Sequence, residues 1–124
     1  MAGPLISIID DDEHVRQSLQ ALVESVGYCA RLFDSGESFL ASGTLAETSC
    51  VVSDIQMPGM TGVALAEQLA RSGDRTPVIL ISAYATDDML RGITGPCVAA
   101  VLPKPLQPNA LIETIKRALD AGNG

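Results

Sequence analysis

The chain has 124 residues, of which 47% are hydrophobic, and carries a formal net charge of −7. These values predict one domain over residues 1–124 with a buried core, and they exclude a disordered chain. The negative charge argues against direct binding of nucleic acid or a membrane surface, and no apolar run approaches the roughly 18 residues that span a bilayer.

Short apolar runs alternate with segments of helical periodicity along the whole chain. In chain order, the predicted elements are a strand at 5–9, a helix at 14–26, a strand at 28–33, a short helix from 34–37 to 42–43, a strand at 50–53, a helix from 61–62 to 72–74, a strand at 77–82, a weak helix at 86–93, a strand at 97–102 and a helix from 108. Asp12 and Glu13 suit the start of the first helix, where its dipole favours negative charge, and Gly27 suits its end.

This alternation predicts a fold of the α/β class. Continuous apolar strands such as PVILIS (77–82) are typical of a parallel sheet that is covered by helices on both faces. The strand order 2-1-3-4-5 is one common form of this five-stranded fold, called flavodoxin-like, and it makes strands 1 and 3 central neighbours. Ligands bind such sheets beyond the carboxyl ends of the strands.

Polar residues follow four of the predicted strands at that edge. They are Asp10 and Asp11 after strand 1, Asp54 after strand 3, Ser82 at the end of strand 4 and Lys104 after strand 5. Carboxylates without sulfur or imidazole partners suit a hard divalent ion, and Mg²⁺ is the natural candidate. A metal, a lysine and a hydroxyl around a carboxylate can compensate the charge of a phosphoryl group, with Asp54 as the nucleophile.

Simpler interpretations apply to several of these residues taken alone. Asp10, Asp11 and Asp12 could form a solvated acidic turn, and we expect Asp12 to be only a helix cap. We expect His14 to be a solvated residue of the first helix. The three cysteines form no CxxC motif and are typical of small core residues in a reducing, cytoplasmic compartment.

With these residues in place, the sequence resembles the receiver domain of a two-component response regulator over essentially its whole length. The resemblance lies in Asp10-Asp11, in DIQMPGMTG from Asp54, in Ser82-Ala83 and in Lys104-Pro105. The stretches DDDEHVRQSLQALVESVGY and SGESFLA are most similar to FixJ-type receivers. Those usually precede a LuxR-type helix-turn-helix output domain, which is absent from this sequence.

The resemblance implies a role for each matching residue. Asp54 would accept phosphate from a phosphohistidine on a sensor histidine kinase. Asp11, Asp54 and the backbone carbonyl of Gln56 would bind Mg²⁺, with Asp10 acting directly or through water.

The remaining matching residues would act on the phosphoryl group or shape the loop beside it. Ser82 would hydrogen-bond the bound phosphoryl group, and Lys104 would pair with it. A cis bond is expected at Pro105. Gly62 would supply backbone angles that a larger residue resists.

The implied protein is a signalling switch and not a turnover enzyme. It would relay the phosphoryl group to an output DNA-binding domain outside this chain or to another partner, and it could form a homodimer on phosphorylation. The alternative is a degenerate receiver that acts as an unphosphorylated docking module. A haloacid-dehalogenase-like phosphatase would need an aspartate at Gln56, and a flavin carrier would not place DDDE after strand 1.

The sequence departs from the family pattern near the last strand. Val101 replaces the usual aromatic switch residue, Cys97-Val98 replace Gly-Ala, and Leu106 replaces phenylalanine. Gly92 and Gly95-Pro96 interrupt the weak helix at 86–93. We therefore expect residues 83–97 to carry the phosphorylation signal in place of an aromatic swing.

Overall fold

The computed structural model describes residues 3–83 and 97–123. Its elements are β1 (Leu5–Ile9), α1 (Glu13–Ser25), β2 (Cys29–Phe33), α2 (Gly36–Ser42), a 3₁₀ helix (Thr44–Glu47), β3 (Cys50–Asp54), α3 (Gly62–Arg71), β4 (Val78–Ser82), β5 (Val98–Pro103) and the last helix, α4 (Pro108–Asn123). The 3₁₀ helix has no counterpart among the predicted elements. The predicted helix at 86–93 lies outside the described residues.

The five strands form one parallel sheet in the order β2-β1-β3-β4-β5, which confirms the predicted topology. In the register of the central strands, Ile9 pairs with Ser53 and Asp54 pairs with Ile81. The ends of β1, β3 and β4 therefore lie side by side along one edge of the sheet.

A hydrophobic core lies on each face of this sheet. One core packs α1 and α4 against the strands, with Leu19, Val23, Leu111 and Ile115 buried. The other packs α2 and α3 against the opposite face, where Phe39, Leu65 and Leu69 are buried. Full burial of each such side chain stabilises the fold by about 1.5–3 kcal/mol, so packing on both faces stabilises the sheet.

Local signals place the start and end of α1 as predicted. The Asp12 side chain accepts hydrogen bonds from the backbone N–H groups of His14 and Val15, which makes Asp12 the N-cap. Gly27 follows the helix with φ of 93°, a left-handed conformation that costs glycine little. Asp10 and Asp11 thus lie in a short turn between the end of β1 and this cap.

Within the described ranges, no helix combines the length and the apolar character that are needed to cross a membrane.

Candidate functional site

Three carboxylates converge where β1 and β3 end. The Asp10 N–H donates to the Phe33 carbonyl at 3.1 Å, and the Ile55 N–H donates to the Ile81 carbonyl at 2.9 Å, so sheet-type bonding fixes the backbone past both strand ends. Oxygen atoms of Asp10, Asp11 and Asp54 all lie within 4.8 Å of one another. Asp10 and Asp54 are buried, whereas Asp11 is exposed.

Lys104 approaches the same cluster from the end of β5. Its backbone N–H donates to the Ser82 carbonyl at 2.9 Å, and its Nζ lies 2.8 Å from Asp54 Oδ2 and 3.9 Å from Asp10 Oδ2. The Lys104–Pro105 peptide bond is cis, as the resemblance implied. The structure therefore brings the lysine and all three predicted carboxylates together.

The two buried carboxylates are each held by one local backbone donor. Asp54 Oδ1 accepts from the Gln56 N–H at 2.9 Å, and Asp10 Oδ1 accepts from the Asp12 N–H at 2.8 Å. In the described part of the chain, Asp10 Oδ2 is the one buried side-chain nitrogen or oxygen without a hydrogen-bond partner. A buried carboxylate oxygen that accepts no hydrogen bond, inside a group of three carboxylates, is the kind of donor that a divalent cation binds.

Burial and charge shift the pKa values at the site. Burial raises the pKa of Asp10 to about 6, and the negative charges of Asp54 and Asp11 act in the same direction against the Asp12 hydrogen bond and Lys104. Burial alone would lower the pKa of Lys104, but its hydrogen bond to Asp54 and the surrounding carboxylates raise it. Ionised, the three carboxylates and one ammonium leave a formal charge of minus two, which one divalent cation neutralises.

Ser82 and Gln56 lie where the sequence predicted them. Ser82 is buried at the end of β4 and pairs with Pro103 of β5, one residue before the lysine. Gln56 lies two residues after Asp54, and its backbone N–H orients the Asp54 carboxylate. The phosphoryl contact of Ser82 and the metal contact of the Gln56 carbonyl remain predictions.

The expectation for Gly62 was wrong in its physical reason. The glycines with positive φ in the described residues are Gly27, Gly43, Gly59 and Gly73. At Gly62, a Cβ atom would instead collide with the carbonyl oxygen of Asp54 and would lie 3.0 Å from Leu80 Cδ2. Glycine is needed here because α3 begins against the backbone of β3.

Two contacts at the site were missed by the sequence reasoning. Arg16 Nη1 donates to the Asp10 carbonyl at 2.6 Å, and Glu37 Oε2 accepts from the Met60 N–H at 3.4 Å. Arg16 lies on the first helix, four residues after its N-cap. An arginine at this position of the sequence can contact the β1–α1 turn, so its spacing from Asp12 could have indicated the contact. The Glu37 contact joins α2 to the loop after Asp54 across 23 positions, and local patterns do not reveal it.

The fold and the site define a class of protein, the parallel α/β domains with an acidic centre at the strand ends. Within that class the chain belongs to the response regulator receiver domain family, which residues 6–116 match. FixJ of Azorhizobium caulinodans, a transcriptional regulatory protein, is 31% identical over 114 residues, which cover 92% of this chain and 54% of FixJ. The response regulator TodT of Pseudomonas putida is 30% identical over 115 residues, which cover 93% of this chain and 51% of TodT.

Solved structures agree with this assignment. The response regulator StyR superposes with a TM-score of 0.87 at 33% identity, over 97% of this chain and 61% of StyR. The structure titled FixJ-N superposes with a TM-score of 0.83 at 29% identity, over 97% of this chain and 96% of that one. The chain spans about half the length of the curated relatives it matches. It is thus a receiver domain of the kind found in transcriptional regulators of two-component signalling.

Proposed function

We propose that Asp54 accepts a phosphoryl group from a phosphohistidine of a sensor histidine kinase in a Mg²⁺-dependent reaction. The observation that carries the proposal is the position of the buried Asp54 carboxylate, 2.8 Å from Lys104 Nζ and within 4.8 Å of two further carboxylates. If Asp54 served only the stability of the fold, its ion pair with Lys104 would be enough. The two further carboxylates, Asp10 and Asp11, would then only add repulsion.

In the proposed transfer, an Asp54 oxygen attacks the phosphorus atom. The new P–O bond forms as the P–N bond to the donor imidazole breaks, and the bonding pair leaves with the imidazole. The Gln56 N–H holds Asp54 Oδ1 in place throughout. Lys104, freed from the carboxylate charge that the new bond removes, pairs with the phosphoryl oxygens, and the Ser82 hydroxyl hydrogen-bonds them.

The donor set fits Mg²⁺, held by Asp10, Asp11, Asp54 and the Gln56 carbonyl. Two observations support this assignment. Asp10 Oδ2 is buried without a hydrogen-bond partner, and the site carries a formal charge of minus two. When bound, the ion supplies charge compensation for the phosphoryl oxygens.

The domain would work as a switch and not as a turnover enzyme. Gln56 stands where a haloacid-dehalogenase-like hydrolase has its acid/base aspartate, so rapid hydrolysis of the phosphorylated form is not expected. Nothing in the structure favours the alternative of an unphosphorylated docking module, since the acceptor, the acidic pair and Lys104 meet at one site. We further propose that the switch acts in the cytoplasm, that its target is an output DNA-binding domain outside this chain or another partner, and that phosphorylation can lead to a homodimer.

Phosphorylation by a small phosphodonor tests the acceptor. With acetyl phosphate and Mg²⁺, intact-mass spectrometry should show one added phosphate that hydroxylamine removes, as it does from an acyl phosphate. Asp54→Asn should abolish the addition, while Asp34→Asn, a matched change of an exposed carboxylate, should retain it. An adduct of the same stoichiometry and lability in Asp54→Asn would show that the acceptor is another residue.

Metal binding is tested separately on the acidic turn. Asp11→Ala removes a proposed ligand, so its Mg²⁺ affinity should fall well below that of Asp12→Ala, which loses only the helix cap. Equal losses in the two variants would mean that the turn acts as a diffuse negative field.

A further inference from the structure

We propose that Arg16 is a positioning residue for divalent-cation binding. Its guanidinium holds the backbone of the turn that carries Asp10 and Asp11, and so fixes two of the three carboxylates of the proposed metal site. The inference rests on the proposed function, because it concerns the same metal, but it assigns a role to a residue outside the ligand set.

The contact is short and specific. Arg16 lies in α1, four residues after the N-cap Asp12, and its Nη1 donates to the carbonyl oxygen of Asp10 at 2.6 Å. A hydrogen bond from a charged donor is stronger than a neutral one. Among the described residues, the Arg16 side chain forms no ion pair with a carboxylate, and this carbonyl is its hydrogen-bond partner.

With this contact, Asp10 is held at three of its four polar atoms. Its N–H donates to the Phe33 carbonyl, its carbonyl accepts from Arg16, and its Oδ1 accepts from the Asp12 N–H. The fourth atom, Oδ2, accepts no hydrogen bond and lies 3.9 Å from Lys104 Nζ. The three bonds fix the Asp10 backbone and side chain, and they leave one oxygen for a cation.

The choice of a carbonyl as acceptor matters for the chemistry. An arginine that paired with Asp10 or Asp11 would neutralise a ligand and occupy its lone pairs, in competition with the metal. By binding the backbone, Arg16 orders the turn and leaves the carboxylate charge available. Loss of an outer contact that orients a metal ligand typically lowers metal affinity by roughly 10–100-fold.

Positioning and simple electrostatics predict opposite effects of removing Arg16. A cation near the site repels Mg²⁺, so if charge alone mattered, Arg16→Met would tighten Mg²⁺ binding. If Arg16 positions the turn, its loss allows Asp10 and Asp11 to leave the binding geometry, and Mg²⁺ binding weakens. The sign of the change therefore separates the two roles.

The experiment is a Mg²⁺ titration by calorimetry of the wild-type domain, Arg16→Met, Arg16→Lys and the control Arg31→Met. Arg31 is an exposed cation in the middle of β2, so its change removes the same charge away from the turn. We expect the Mg²⁺ Kd to rise about tenfold in Arg16→Met, to recover in part in Arg16→Lys, which retains a charged donor, and to stay within about twofold of wild type in Arg31→Met.

An unchanged or lower Kd in Arg16→Met, with Mg²⁺ binding by the wild type, overturns the positioning role and leaves the metal site standing. No binding by the wild type overturns the metal site itself. Circular dichroism without metal reports whether each variant folds. If Arg16→Met does not fold, Arg16→Ala, which also removes the donor, decides, since a Kd more than about twofold above wild type supports the role and an equal or lower Kd rejects it.

Discussion

Asp10 is the residue at which the demands of folding and of the proposed metal binding conflict. Its carboxylate is 1% exposed, has one oxygen without a hydrogen-bond partner and lies beside two other carboxylates. Burial therefore raises its pKa to about 6, so at neutral pH the metal-free protein carries an ionised group that its surroundings disfavour. The same property makes the carboxylate a strong partner for a cation.

We predict that the metal-free domain is more stable at pH 5 than at pH 8. The folded protein binds the Asp10 proton more tightly than the unfolded chain, whose pKa is near 3.8, so the stabilisation is complete below that value and is lost as the pH rises through about 6. The gain from pH 8 to pH 5 should be about 1 kcal/mol in the free energy of unfolding, measured by urea denaturation in EDTA.

Asp10→Asn should remove most of this pH dependence and should stabilise the metal-free protein at pH 8, because a neutral amide replaces the buried charge. Asp12→Asn is the matched control, since asparagine also caps helices and the side chain is exposed. A pH dependence of equal slope in Asp10→Asn and wild type would assign it to other groups.

At the scale of the elements, hydrophobic periodicity and the positions of strand-breaking residues were enough to predict the sheet. Apolar runs with breaks at Gly, Pro and Asp gave the five strands within a residue or two, and the alternation with helices gave their parallel order. Because parallel strands end at one edge, the same reasoning predicted that Asp10, Asp54 and Lys104 would meet. The convergence follows from the parallel topology of the sheet, and the alternation of strands and helices in the sequence predicts that topology.

What the sequence did not predict depends on how neighbouring elements pack against one another. The Glu37–Met60 hydrogen bond depends on how α2 packs against the sheet. The lack of space for a Cβ atom at Gly62 depends on how α3 packs against it. The 3₁₀ helix is stabilised partly by Thr48, whose hydroxyl donates to the Thr44 carbonyl at 2.8 Å and lies 2.7 Å from Ser7 Oγ. Neither periodicity nor composition specifies such contacts.

Gly62→Ala is predicted to impair the site through this packing. The new Cβ would push α3 away from the Asp54 carbonyl, destabilise the domain by about 1–3 kcal/mol and slow phosphorylation by acetyl phosphate. Gly27→Ala is the control, because it strains a positive φ with no neighbouring atom within 4 Å. Gly27 lies between α1 and the start of β2, at the edge of the sheet opposite the site.

Thermal unfolding and the phosphorylation rate, measured on both variants, separate the effects. Both should lower the unfolding midpoint, and Gly62→Ala alone should lower the phosphorylation rate. Equal rates in Gly62→Ala and wild type would show that the close approach of α3 serves stability only.

At the scale of the whole molecule, the site is joined to one face of the sheet. Val101 of β5 is half-buried and packs against the core on the α2 and α3 side, three residues before Lys104. In the proposed transfer, a shift of Lys104 Nζ from Asp54 to the phosphoryl group would pull on the end of β5. The Lys104 N–H bond to the Ser82 carbonyl links that end to β4. Through these two contacts, we expect the change to reach both strands that border residues 83–97.

We predict that phosphorylation changes amide hydrogen exchange mainly in residues 83–97. Residues 84–96 lie outside the described part of the structure, and the prediction comes from the sequence, since Gly92 and Gly95-Pro96 weaken a helix there and Val101 is too short and stiff at χ1 to act as an aromatic switch. Exchange should be measured by mass spectrometry with Mg²⁺, with and without acetyl phosphate. Asp54→Asn, treated identically, should show no change, and Val101→Tyr should alter its extent. Unchanged exchange at 83–97 in fully phosphorylated protein would exclude this route for the signal.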